Sequence, residues 1–71
     1  MNRNKDFNNL TILRGIITDR QLPIDVDYRC DDETGEFVGV WITTKTTESY
    51  HKTLNRANMR LANLIIEFDT P

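Results

Sequence analysis

From Ile24 to Asp31 the chain alternates without a break, Ile24, Val26, Tyr28 and Cys30 against Asp25, Asp27, Arg29 and Asp31. A period of two held over eight residues marks a strand with one buried face and one wet face. Asp32-Glu33-Thr34-Gly35-Glu36 follows and reads as a type I turn closed by a left-handed glycine with a bulge. Beyond it, residues 37–43 (Phe-Val-Gly-Val-Trp-Ile-Thr) return as a second strand. Setting Asp32 opposite Glu36 pairs Cys30 with Val38, Tyr28 with Val40 and Val26 with Ile42. All six apolar side chains then share one face, whereas a slip of one residue would set the valines against aspartates. The opposite face receives Phe37, Gly39, Trp41 and Thr43 beside Asp25, Asp27, Arg29 and Asp31.

This hairpin is the anchor for the flanking segments. Residues 9–18 are rich in β-branched side chains, with Leu10, Ile12 and Ile16 on one parity and Leu13 and Ile17 on the other. That distribution predicts a strand covered on both faces, with a short helix as the alternative. Asp19–Pro23 reads as a turn in which Pro23 ends the ladder. Thr44-Lys45-Thr46-Thr47 ends the sheet and offers a helix N-cap, placing Glu48 and Ser49 in a first turn. Tyr50, Leu54, Ala57, Leu61, Leu64, Ile65 and Phe68 then follow helical spacing within an arc of roughly 100°. The expected fold is α+β: a three-stranded antiparallel sheet packed by one C-terminal helix, in the order β-β-β-α. It occupies 1–71 as one domain, with residues 1–8 as a frayed polar start and 69–71 as a tail.

A chain of 71 residues builds a marginal core, so it should need reinforcement. Cys30 is the only cysteine and His51 the only histidine. No internal disulfide can form, and a four-ligand zinc site would need carboxylates. Self-association is left, and a homodimer is expected. No run of about 18 apolar residues appears, nor an apolar signal segment after Met1–Asp6. The expectation is a cytoplasmic protein with no membrane segment and a reduced thiol.

Catalytic patterns are missing too. No serine or cysteine has a recognisable companion base, and there is no phosphate loop, glycine-rich fingerprint or H-E-x-x-H pair. His51 reads as an exposed helix residue and Cys30 as a small core residue. No enzyme activity, cofactor or metal is expected.

Function is therefore expected at surfaces. Phe37 and Trp41, two pleats apart on the wet face, form an aromatic patch beside Asp27 and Arg29, whose guanidinium can stack on a ring. Tryptophan is enriched at binding hot spots, so this patch is read as the contact surface of a regulatory protein-interaction module. The plain structural alternative is core, covered by the N-terminal segment or a second subunit. Met59, Ala62 and Ile66 fall nearly opposite the main helix stripe and suit a symmetric contact or a partner groove.

Charge supports other readings. Lys45, Lys52, Arg56 and Arg60, with only Glu48 among them, are candidate phosphate contacts for a nucleic-acid-binding module. Residues 19–36 carry seven acids against only Arg20 and Arg29, and six of them, Asp25, Asp27, Asp31, Asp32, Glu33 and Glu36, would suit an acidic inhibitor of a nucleic-acid enzyme encoded by a mobile element. The net charge of −2 gives such a mimic little long-range field. Strand, Thr34-Gly35 turn, strand and helix over residues 22–65 resemble the sheet-plus-helix DNA-binding domains of tyrosine recombinases and plant AP2 domains. The resemblance implies DNA contact through the sheet. Asp25, Asp27 and Asp31 stand where those families carry basic residues.

Overall fold

The computed structural model describes residues 3–69, with side chains from Lys5 onward, so Met1, Asn2, Thr70 and Pro71 of the expected start and tail lie outside it. The chain runs α1 (Arg3–Asp19), β1 (Asp25–Cys30), β2 (Phe37–Thr43), β3 (Glu48–His51) and α2 (Leu54–Asp69). The class is α+β with a three-stranded antiparallel sheet in the order β1-β2-β3. The expected order β-β-β-α lacked the N-terminal helix, and residues 9–18 are helical rather than extended.

The reason lies in spacing. Leu10, Leu13 and Ile17 recur at i, i+3 and i+7, which puts both strand parities on one helical face. Leu10 and Ile17 are buried, and Leu13 and Ile16 pack against the same core. Thr11 and Thr18 keep their hydroxyls satisfied within the helix by donating to the carbonyls of Phe7 and Arg14. Packing thus overrides the low helix propensity of the β-branched residues. The helix begins at Arg3 and takes in most of the polar start.

It ends in a Schellman motif. Leu22 N–H donates to the Ile17 carbonyl at 3.0 Å and Gln21 N–H to the Thr18 carbonyl at 3.2 Å. Gln21 takes the left-handed position at φ 53°, a conformation that glycine would adopt without strain.

The third strand is the second correction. Glu48–His51, read as the start of a helix, pairs antiparallel with β2 through Val40↔His51, Trp41↔Tyr50, Ile42↔Ser49 and Thr43↔Glu48. Thr44–Thr47 is the intervening turn. Thr44 Oγ1 accepts from the N–H groups of Thr46 and Thr47 there, so this threonine serves a hairpin and not a helix cap. The cap of α2 is Thr53, whose Oγ1 accepts from Arg56 N–H at 3.2 Å.

In the first hairpin, Val26↔Ile42 and Tyr28↔Val40 pair as the alternation predicts. Nearer the turn the register slips: Arg29 pairs with Gly39 but Cys30 with Phe37, leaving Val38 as an extra residue on β2. The turn itself causes the slip. Asp31 Oδ1 accepts from Glu33 and Thr34 N–H, and Asp31 N–H donates to the Glu36 carbonyl at 2.7 Å. Gly35 sits at φ 74°. Asp31, not Asp32, therefore opposes Glu36, and one residue of β2 must bulge to restore the pairing below. Val38 turns out to solvent and Cys30, at the end of β1, is exposed, both against expectation.

Both helices cover one face of the sheet. Val40 and Ile42 from the sheet, Leu10 and Ile17 from α1, and Leu54, Ala57, Leu61, Leu64 and Ile65 from α2 are buried together with Ile24. α2 lies over β2 and β3, and α1 packs beside α2. The helices run parallel, since Asn58 Nδ2 donates to the Asp6 carbonyl near one end and Arg20 pairs with Asp69 at the other. Among the described residues no helix is long and apolar enough to cross a membrane.

Candidate functional site

The uncovered face of the sheet is built by the same pleat that buries the core. Residues alternate across a strand, so Asp25, Asp27 and Arg29 on β1, Gly39, Trp41 and Thr43 on β2, and Glu48 and Tyr50 on β3 point away from the helices. Trp41 occupies the middle strand and contacts both neighbours. On one side the Tyr50 ring packs against it, centroids 4.4 Å apart and planes tilted by 42°. On the other, the Arg29 guanidinium lies 4.7 Å from the indole centroid, within cation–π range. Asp27 holds that guanidinium by an ion pair from Arg29 Nε at 2.7 Å.

Gly39 completes the arrangement. The Tyr50 ring leans over it, and a Cβ at position 39 would stand 2.9 Å from Cζ and from the hydroxyl oxygen. Tyr50 also donates its hydroxyl proton to the Val38 carbonyl at 3.1 Å, whose residue is the bulged one. The Val38 bulge and Gly39 together make room for Tyr50, and Tyr50 fixes the outer flank of Trp41. The aromatic plate is held from both sides without being core.

Of the four residues predicted for the contact patch, Trp41, Asp27 and Arg29 come together. Phe37 does not. The bulge turns it to the helix side, where its ring lies 5.3 Å from Tyr28, itself edge-on to Phe7 at 5.5 Å. Phe37 is thus packed against the core, and its place in the plate is taken by Tyr50. The signal for Tyr50 was present in Tyr50-His51-Lys52-Thr53, but helical spacing to Leu54 absorbed it.

The second expected surface stays on the outside of the helices. Met59 and Ile66 are 62% and 65% exposed, with Ile12 of α1 at 60%. Ala62 lines a shallow groove between the helices with Ile12, Leu13 and Met59. The Oδ1 of Asn58 in that groove is buried with no hydrogen-bond partner among the described residues.

The basic residues divide. Lys45 belongs to the β2–β3 turn, beside Leu22 and Pro23. Arg56 lines a concavity with His51 at the opposite end of β3, and Arg60 follows one helical turn later on α2. His51 shares the helix-side face of the edge strand with Ser49, and Ser49 Oγ and His51 Nε2 lie 2.9 Å apart. Partial burial, then Arg60 and Arg56, hold the imidazole below the usual histidine range. No described carboxylate orients the other ring nitrogen, so the Ser–His pair lacks the third member of a hydrolytic triad. Among the described residues no group of three or more His, Cys, Asp and Glu is placed to hold a metal ion. Comparison with protein-family models, curated proteins and solved structures finds no match.

Proposed function

We propose that this chain is a non-enzymatic protein-binding module whose contact surface is the open sheet face centred on Trp41. The observation that carries the reading is Trp41 held between Tyr50 and Arg29 on the face that neither helix covers. Trp, Tyr and Arg are the residue types that dominate binding hot spots, and their energies come from rigid area presented at low entropic cost. The rim is acidic, with Asp25, Asp27 and Glu48 against Arg29. Two copies meeting through this face would oppose like charges, so the partner is a different protein that offers an apolar side chain flanked by basic ones.

Self-association belongs to the helical side, where Ile12, Met59 and Ile66 are exposed and uncharged. Static light scattering tests that part. The expected mass is twice 8.3 kDa, falling to the monomer in Met59→Glu; a wild-type monomer at micromolar concentration removes it.

The open face is tested by placing a photo-crosslinking residue at Thr43 in cells. A discrete adduct that disappears in Trp41→Ala, with folding retained, supports the reading. An adduct pattern indifferent to Trp41 contradicts it.

A further inference from the structure

Arg56 and Arg60 form no ion pair among the described residues, where the ion pairs are Arg20–Asp69 and Arg29–Asp27. Helical spacing provides no relief. Three and four residues either side of Arg56 stand Thr53, Met59, Lys52 and Arg60; around Arg60 stand Ala57, Asn63, Arg56 and Leu64. No carboxylate lies within a turn of either guanidinium, although Arg60 is half-buried. Like charges one turn apart oppose each other and destabilise the helix.

Both guanidiniums act on the same imidazole. His51, Asn55, Arg56 and Met59 line a concavity of about 390 Å³ where the end of β3 meets the first turns of α2. Ser49 Oγ and His51 Nε2 share a hydrogen bond, and the other ring nitrogen, Nδ1, has no partner among the described residues and can donate to a ligand when it carries a proton. The concavity therefore gathers the Arg56 guanidinium, the Asn55 amide and the His51 ring, with Arg60 one helical turn beyond Arg56 on the same side of α2 and no carboxylate among the lining residues.

We propose that His51, Asn55, Arg56 and Arg60, with Ser49 setting the imidazole, form a binding site for the phosphate of a small phosphate monoester. Planar guanidiniums match phosphate oxygens in pairs, and the opening of α2 adds the positive end of its dipole. A nucleic-acid backbone fits less well because the cations gather at one corner instead of tracking along a groove. Lys45 stands at the far end of β3, and the chain as a whole is acidic. The site uses none of the open-face residues and stands or falls apart from the function proposed above.

Because His51 is the only histidine, its imidazole proton resonances report the site without ambiguity. The full chain is titrated with inorganic phosphate and with phenyl phosphate at constant ionic strength, with chloride as control and a short DNA duplex as a further arm. The expected result is a saturable shift with both phosphates, an upward move of the His51 pKa in the bound state, and none with chloride. Arg60→Gln and Arg56→Gln should each weaken binding about tenfold, one charged hydrogen bond's contribution, with circular dichroism confirming that they fold. A wild-type response no greater than that to chloride overturns the site, as does a shift unchanged in both folded variants. Saturation by the duplex alone assigns the corner to a nucleic-acid backbone and overturns the monoester.

Discussion

Gly39 and Gln21 show how single positions decide local structure in opposite directions. Alanine is normally the better strand residue by a few tenths of a kcal/mol or more, but at position 39 its Cβ would meet the Tyr50 ring. The clash wins. Gly39→Ala is expected to lose about 1–2 kcal/mol through overpacking and to move Tyr50 off Trp41, read as a lowered melting temperature and a changed indole emission. At Gln21 the sign reverses. A non-glycine residue at φ 53° closes α1 at a cost of about 1 kcal/mol. Gln21→Gly should raise the melting temperature by about 4–8 °C, the conversion for a domain of this size; a fall would mean that the Gln21 side chain makes a stabilising contact.

Two titratable residues give pH dependence at the same scale. Thr34 and Glu33 N–H groups donate to the Asp31 carboxylate and hold it below its ordinary value. A depressed carboxylate contributes stability above the unfolded value of 3.8, lost as pH falls through the folded value. His51 is depressed by burial and by Arg60 and Arg56. The unfolded chain therefore binds its proton first, and stability falls as pH drops through and below 6.5. Chemical denaturation between pH 7.5 and 5 should show a downward slope that His51→Gln flattens. An unchanged slope in that variant would separate His51 from the effect.

At the scale of elements, legibility followed the strength of the periodic signal. The alternation at 24–31 located β1 and the lower register of the hairpin, and the spacing of Leu54, Ala57, Leu61, Leu64 and Ile65 located the buried stripe of α2. Elements with mixed signals were misassigned. The β-branched run at 9–18 concealed a helix whose partner, α2, begins 35 residues after α1 ends, beyond what a local window registers. β3 has four residues and no aliphatic side chain, so its identity comes from pairing with β2. The bulge came from the Asp31 side chain folding the turn back one residue early, and that single hydrogen-bonding choice moved Phe37 from the open face to the core. Thr53 was likewise hidden behind a run of threonines that looked equally able to cap. Thr53→Ala should cost about 1 kcal/mol, whereas the same change at Thr46, whose hydroxyl takes no part in the turn's hydrogen bonds, should cost nearly nothing.

Over the whole molecule, one layer of two helices against one sheet leaves the other sheet face without cover. A chain of 71 residues has a total stability on the order of 4–10 kcal/mol. Leu61, fully buried between sheet and helices, would lose about 2–5 kcal/mol on truncation to alanine, enough to depopulate the fold. Trp41 is different in kind. Its half-buried ring is held by Tyr50 on one side and the Arg29 guanidinium on the other, contacts together worth about 1–2 kcal/mol. That ring lies outside the buried core, on the sheet face proposed as the recognition surface. Calorimetric unfolding of Trp41→Ala tests this directly. A single cooperative transition lowered by about 1–2 kcal/mol is predicted; a loss of about 3–5 kcal/mol, the cost of removing a core aromatic, or no transition at all, would contradict it.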